Sequence, residues 1–290
     1  KEGRLWIGRQ PFEALLQACL ARGEELHQKD PLKPGFTRGA LCAGWSKALP
    51  QRLVQRVLDT ALKQEQLVLE GEGLRLAGHK VLITAGPTFE ALDPVRGLTN
   101  HSSGKMGFAI AAAARAAGAQ VTLVAGPVHL PTPRGVQRIN VQSARDMLAA
   151  VQSALEDVSI FIAAAAVADW RPADFSTKKI KKDGSGAVPS LAFVENPDIL
   201  ATVANSERAQ QGQLYCVGFA AESDNLLAHA SAKRVRKNVP LLVGNIGPAT
   251  FGQDDNTLLL IDAHGSSALP RASKAQLGHA LIAEIARRLP

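Results

Sequence analysis

The run TNHSSGKMGFAIAAAARAAG, from Thr99 to Gly118, sets two serines, a glycine, a lysine and a second glycine directly ahead of an alanine-rich stretch. Residues of these types hold phosphate, because free N–H groups at a helix start and the helix dipole both favour an anion. The run fits neither common phosphate motif. A Walker A loop needs G-x-x-x-x-G-K-[ST], yet Met106 follows Lys105 and Thr99 stands where the first glycine belongs. The dinucleotide fingerprint G-x-G-x-x-G fails too, since a long loop separates this run from VLITAG. The underlying physics survives: Ser102 or Ser103 is expected to cap the helix, and Gly104 and Gly107 allow close backbone approach. An ordinary capped helix with a packing glycine accounts for the same residues.

Two further stretches carry positive charge. STKKIKKDGSG concentrates Lys178, Lys179, Lys181 and Lys182 beside glycine and serine, a cationic loop able to stabilise charge developing at phosphorus or simply a solvated charge run. KRVRKN places Lys233 and Lys237 at i, i+4, so both ammoniums reach one helical face and one polyphosphate; an exposed basic face is the bland equivalent. Asp169 follows an alanine-rich run that leaves room for a ring or sugar, and its carboxylate suits ribose hydroxyls, a base amine or magnesium. Glu222 ends the next apolar run in a similar position, and either acid serves equally as a structural cap. In ENPDIL, Asn196 or Asp198 is expected to cap a helix with Pro197 in its first turn. The histidines do not cluster and no Ser/His/Asp arrangement is evident, which disfavours covalent hydrolysis.

These residues need elements to hold them. From Lys80 onward KVLITAGP, QVTLVAGP, SIFIAAAAVAD, LYCVGFAAES, VPLLVGNI and NTLLLIDAHG read as short buried strands. Helices are expected over 104–117, 144–155, 198–204, 226–237 and 274–288. Continuous apolar strands alternating with helices predict a mostly parallel α/β sheet covered on both faces, with ligands at the strands' carboxyl ends. Before about Gly78 the style differs. Phe12, Leu15, Leu16, Cys19 and Leu20 share one helical face, Thr37 can cap a short helix, and Leu53, Val54, Val57, Leu58, Ala61 and Leu62 recur at helical spacing after Pro50. QLVLEGEGLRLAG then reads as a hairpin. Three helices and a hairpin give a small α+β winged-helix-like domain over 1–79, ahead of the larger domain over 80–290.

Composition agrees with this. The chain has 290 residues, 46% of them hydrophobic and 20% charged, an ordinary globular balance; the net charge of +7 favours an anionic partner. Cys19, Cys42 and Cys216 are scattered without a CxxC pair, which argues against a disulfide framework or zinc site and fits a reducing cytoplasm. IFIAAAAVA is too short to span a bilayer, and no signal peptide is expected.

In order along the chain, ITAGPT, LDPVR, TNHSSGKMG, AAAVADWRP, KIKK, NPDIL, GFAAES and KRVRKN resemble the phosphopantothenoylcysteine synthetase family, the phosphopantothenate–cysteine ligases of coenzyme A biosynthesis. The resemblance covers Lys80 to Pro290 and implies a Rossmann-like fold with a CTP- and Mg2+-dependent reaction in two halves. The carboxylate of 4'-phosphopantothenate attacks the α-phosphorus of CTP, giving an acyl-cytidylate and pyrophosphate; L-cysteine then displaces CMP. It implies that Asn100 holds the acyl-cytidylate and that Asp169, Lys179, Pro197, Asp198, Ile199, Leu200, Phe219, Lys233 and Lys237 contact CTP. Lys179 is the expected catalytic cation. Ser102, Ser103, Gly104, Lys105, Met106, Gly107 and Ala165 are the expected substrate- and phosphate-binding set. A homodimer is implied, with each site completed by the partner.

In bifunctional members a flavin-dependent decarboxylase precedes the ligase, and nothing here resembles it, so no flavin is expected. Instead LHQKDPLKPGFTRGAL and LVLEGEGLRLAGHK resemble a winged-helix repeat of the selenocysteine-specific elongation factor, so RNA binding by this segment and a fusion within LRLAGHKVLI are both open. Two other functions compete with the ligase. A nicotinamide-dependent oxidoreductase suffers from the missing G-x-G-x-x-G and from Tyr215 lacking a lysine at Tyr-x-x-x-Lys spacing. A nucleic-acid-binding winged helix would rely on Arg52, Arg56 and Lys63.

Overall fold

A computed structural model describes residues 7–29, 38–47, 49–63, 76–181, 190–222, 225–246 and 252–289. The chain forms two compact units, one holding the residues up to Gly78 together with Ala116–Gly118, the other holding the rest.

In the first unit, helices α1 (Arg9–Lys29), α2 (Arg38–Cys42) and α3 (Gln51–Lys63) are ordered around the expected apolar faces. Leu16, Cys19, Leu41, Val57, Leu58 and Ala61 form its core, with Phe12, Leu15, Leu20, Leu53 and Val54 packed against it. The Pro50 carbonyl accepts the first helical N–H of α3, from Val54, at 3.2 Å. Thr37 and most of the hairpin expected over 66–78 lie outside the described residues.

The second unit is built on eight strands, β1 (Lys80–Ala85), β4 (Gln120–Ala125), β5 (Gln137–Asn140), β6 (Ile160–Ala163), β9 (Tyr215–Glu222), β10 (Leu241–Ile246), β11 (Asp255–Asp262) and β12 (Gly265–Ser273), in the spatial order β12-β11-β10-β9-β6-β1-β4-β5. The six strands from β5 to β10 are parallel, and β11 and β12 close the sheet antiparallel. Numbered in chain order, the parallel strands run 3-2-1-4-5-6, so the order reverses between β1 and β6. Thr84 of β1 pairs there with Ala163 of β6. A sheet of this topology binds ligands in the crevice at that reversal, beyond the strands' carboxyl ends.

Helices cover both faces. Met147 and Val151 of α5 (Ala144–Ala154), Ile199, Leu200 and Val203 of α6 (Ile199–Ala204) and Ala230 of α8 (Leu226–Arg236) bury against Leu82, Phe161, Cys216 and Leu242. The short α7 spans Glu207–Gln210. On the opposite face, α4 (Lys105–Ala116) meets β1 at Gly107, and Gly278 of α9 (Lys274–Arg288) lets that helix approach the Ala109 backbone of α4. Two antiparallel ribbons interrupt the wound pattern: β2 (Phe89–Ala91) with β3 (Gly97–Thr99), inserted between β1 and α4, and β7 (Trp170–Pro172) with β8 (Phe193–Glu195), inserted after β6.

Six of the eight sheet strands and five of the six helices described in this unit, all but the short α7, lie where the apolar pattern places them. That pattern did not anticipate β5, β12 or either ribbon, nor that β11 runs antiparallel.

Candidate functional site

The β1–α4 connection explains why TNHSSGKMG looks like a broken phosphate motif. Gly86, directly after β1, takes φ +80°, and Gly104, directly before α4, takes φ +74°. A Cβ on Gly104 would lie 3.3 Å from the Gly86 Cα, and one on Gly107 only 2.5 Å from the Ala85 Cβ. These are the three duties of a dinucleotide-binding fingerprint: tight turn, close backbone approach and close helix–strand packing. Here the β2–β3 ribbon is inserted between the first glycine and the other two.

The cap differs from expectation. Gly104 occupies the position before the helix, its carbonyl accepting the Phe108 N–H at 3.1 Å. Ser102 lies two residues earlier and accepts the Gly104 N–H at 3.3 Å; neither serine is the cap residue. Gly104 has no side chain with which to cap the first-turn N–H groups, so a ligand can do so. A cavity of about 260 Å³ opens there, lined by residues 102–107, Ala165, Phe219, Lys233, Asn245, Asn256 and Lys274.

A second cavity, of about 570 Å³, shares Ala165, Val167, Phe219 and Lys233 with the first and extends over Thr84, Asp169, the 195–200 segment and Lys237. Its walls are ordered by backbone-directed side chains. Thr84 Oγ1 accepts the Ala165 N–H at 3.3 Å, and Thr88 Oγ1 accepts the Ala168 N–H at 3.0 Å. Asn196 Nδ2 donates to the Ala168 carbonyl at 2.9 Å, so Asn196 braces the loop before Asp169 and does not cap α6. Asp198 is the cap, accepting the Ala201 N–H at 2.9 Å, and Pro197 precedes it outside the first turn. The Asp198 carboxylate also pairs with Lys237. Gly218 admits the Leu200 and Leu242 side chains, which a Cβ would meet at 2.7 Å.

The two lysines expected together are together. Lys233 sits in the last turn of α8 and Lys237 at its C-cap, and both line the larger cavity. Burial pulls both ammoniums below the ordinary lysine range, Glu222 and Asp169 partly opposing this at Lys233 and Asp169 opposing it at Lys237. Glu222 lies 3.9 Å from the His229 ring.

A third cavity, of about 670 Å³, adjoins the second through Val167, Ala168, Asp169 and Trp170, and is walled by Leu98, Thr99, Asn100 and Phe193. Leu98, Trp170 and Phe193 are exposed apolar residues on the two ribbons. Asn100 is thus separate from the lysine cavity and meets it only at its rim. Its amide donates to the Ala166 carbonyl at 2.5 Å and accepts the Ser102 N–H at 3.0 Å, which leaves one N–H and one lone pair for a ligand. Lys179 lines none of the three cavities; it is exposed on the loop beyond β7. Lys105 lines the smallest cavity but is paired, its ammonium 2.6 Å from Asp254 Oδ1.

Several site residues carried no sequence signal of their own. Asn245, Asn256 and Lys274 are buried polar groups lining the smallest cavity, contributed by β10, β11 and α9. Lys274 donates to the Gln253 carbonyl at 2.5 Å. Asp93 and Arg96 had a signal, LDPVR, but no role.

Strand order, the split glycine turn and contiguous cavities lined by cations at the switch point define a Rossmann-type α/β unit. Residues 76–289 match the family model of the DNA/pantothenate metabolism flavoprotein C-terminal domain, and the chain belongs to that family. Residues 24–76 match the winged helix of elongation factor SelB. The coenzyme A biosynthesis bifunctional protein CoaBC of Vibrio cholerae is 50% identical over 210 residues, and that of Escherichia coli K12 49% identical over 212; these cover 71% and 72% of this chain and 52% of each relative. The chain thus spans about half the length of those curated relatives. The crystal structure of a CoaBC C-terminal domain superposes with a TM-score of 0.61 at 36% identity, covering 74% of this chain and 97% of that one.

Proposed function

We propose that the larger unit is a phosphopantothenate–cysteine ligase that activates 4'-phosphopantothenate with CTP and then forms the amide with L-cysteine. The observation that carries this reading is the continuity of an uncapped helix N-terminus with a cleft holding Asp169, Lys233 and Lys237 at the strand-order reversal. The CoaBC relatives, named for coenzyme A biosynthesis, supply the substrate class.

In this reading the α4 N-terminus and Lys233 hold the polyphosphate, the cation drawing negative charge while the peptide dipoles cost no reorganisation. The 197–200 turn, Asp169 and Phe219 receive the nucleoside. The pantothenate carboxylate approaches the α-phosphorus from the cavity that contains Asn100, whose remaining N–H and lone pair orient the acyl-cytidylate. Lys179 reaches the transferring phosphate as the catalytic cation. Pyrophosphate leaves, the cysteine amine attacks the activated carbonyl, and CMP departs.

Among the described residues no group of three or more His, Cys, Asp or Glu side chains stands together to cage a metal. Mg2+ would enter with the triphosphate and neutralise its charge, and Asp169 is the cleft carboxylate that would be available to hold it. A homodimer is supported by the exposed Leu98, Trp170 and Phe193 around the Asn100 cavity, an apolar surface of the kind that partners cover. No helix among the described residues is long and apolar enough to cross a membrane; we propose a cytoplasmic setting.

The test is steady-state turnover with phosphopantothenate, cysteine and Mg2+, with either CTP or ATP, following pyrophosphate and the amide product. CTP-supported amide formation is expected. A folded protein that releases pyrophosphate with neither nucleotide contradicts the reading.

A further inference from the structure

The LDPVR motif forms the turn of the β2–β3 ribbon, and its aspartate is almost wholly buried, at 2% exposure. A buried carboxylate needs several donors, and Asp93 has them on both oxygens. Oδ1 accepts the Val95 and Arg96 N–H groups, each at 2.8 Å, which closes the turn on itself. Oδ2 looks outward from the turn. It accepts the Arg96 side chain, with Nη2 at 2.6 Å and Nε at 3.1 Å, and the Ile180 N–H at 3.0 Å. The same Arg96 Nη2 donates to the Ile180 carbonyl at 2.6 Å. Ile180 is therefore gripped at both of its backbone polar groups. A second tie lies nearby, where the Ser176 N–H donates to the Leu92 carbonyl at 3.1 Å.

Ile180 directly follows Lys179. The other end of the ribbon leads straight into Asn100, and Thr99 Oγ1 fixes that end on the Thr88 carbonyl at 2.8 Å. One small ribbon thus carries Asn100 at its foot and holds the backbone of the lysine loop at its tip. The Arg96 bond lowers the Asp93 pKa far below the carboxylate range, with the three backbone N–H bonds adding to it, so the grip persists throughout neutral and mildly acidic solution.

We propose that Asp93 is a positioning residue: with Arg96 it clamps the backbone beside Lys179 to the ribbon that carries Asn100, so that the two groups are held in one frame. This rests on the catalytic reading of Lys179 given above. A cation on an unrestrained loop would reach the reacting phosphate only in a fraction of its conformers, and loss of such restraint typically costs about a hundredfold when a reacting group is misplaced by about an ångström.

Asp93→Asn tests the clamp selectively. It keeps an acceptor for the Val95 and Arg96 N–H groups, so the turn survives, and it presents an NH2 to the donors that Oδ2 served. Arg96→Lys is the second variant, keeping charge but losing the fork that spans Asp93 and Ile180. A nitroxide on Thr177→Cys, in a Cys42→Ser background, reports loop motion; Cys19 and Cys216 are buried. The expected result is a narrowed, mobile spectrum and a 10- to 100-fold fall in kcat, roughly, with little change in KM for CTP. Combining Asp93→Asn with Lys179→Gln should be no worse than Lys179→Gln alone.

An unchanged spectrum in both folded variants overturns the proposal. So does a loosened loop with wild-type kcat, where Lys179→Gln itself is slow. If Lys179→Gln turns over at the wild-type rate while the spectra still loosen, the failure belongs to the reading of Lys179, and the restraint by Asp93 stands.

Discussion

Replacing Gly107 by alanine tests whether the α4 N-terminus is held against β1 by the absence of a single methyl group. In a solvent-facing helix the change would stabilise, since alanine is favoured over glycine by about 1 kcal/mol. At this position the new Cβ would stand 2.5 Å from the Ala85 Cβ, 3.2 Å from the Ala85 Cα and 3.4 Å from the Thr84 carbonyl. Carbon atoms prefer ~3.5–4.0 Å, and neither partner is the free end of a long side chain; both belong to the central strand of the sheet. The helix must retreat by about 1 Å, and overpacking of this kind costs ~1–3 kcal/mol. The net is a destabilisation of about 1 kcal/mol, or roughly 2–4 °C in a domain of this size. The retreat also withdraws the first-turn N–H groups from the anion. Affinity for pyrophosphate, measured calorimetrically, should fall at least several-fold, while urea unfolding followed by circular dichroism shows the lost stability. A Gly107→Ala protein as stable as the parent or more so, with unchanged pyrophosphate affinity, would refute the reasoning.

The buried lysines give opposite trends with pH. Burial lowers the pKa of Lys233 and Lys237, so between those values and the unfolded value near 10.4 the unfolded chain binds more protons. Stability of the ligand-free protein should therefore gain from these groups as pH rises through that window, while calorimetric CTP affinity falls as they lose charge. Asp198→Ala removes the α6 cap and the Lys237 partner; a loss of ~1 kcal/mol in chemical denaturation is expected, with weaker CTP binding. Burial pushes the Cys216 thiol to about 12 and the Cys19 thiol to about 11, so in native protein at pH 8 a thiol reagent should titrate Cys42 alone, and all three thiols after denaturation. Trp170→Glu should convert the proposed dimer to a monomer in light scattering, with melting otherwise little altered.

What was legible in the sequence follows from burial. Strands β1, β4, β6, β9 and β10 are mostly buried on both faces and so are written as largely apolar runs, and α4, α5, α8 and α9 carry apolar positions at helical spacing. The edge strand β12, GSSALPRAS, is exposed along most of its length and includes Pro270, so it shows neither a long apolar run nor an apolar alternation. β5, at the other edge, reads QRIN for the same reason. The ribbons hid because three-residue strands show no period, and their apolar residues point outward. Within the site, Lys233 and Lys237 share one face at the C-terminal end of α8, and Asp169 and the 197–200 turn meet because the pairing of β7 with β8 brings the two ends of that insertion together. Asn245, Asn256 and Lys274 reach the smallest cavity from distant elements, a convergence that only the sheet order creates. The serines were misjudged as caps because Gly104 adopts a positive φ and takes the cap position itself. Asp93 was visible only as part of a motif, since its task depends on Ile180, far along the chain.

The central claim is tested most directly by a single turnover without cysteine. Protein mixed with phosphopantothenate, Mg2+ and CTP should release one pyrophosphate per site and retain the cytidylate as an acyl adduct detectable by mass spectrometry. Cysteine added afterwards should release CMP and yield the amide. Pyrophosphate that appears only once cysteine is present, or a nucleoside diphosphate as product, would contradict an acyl-cytidylate formed in this cleft.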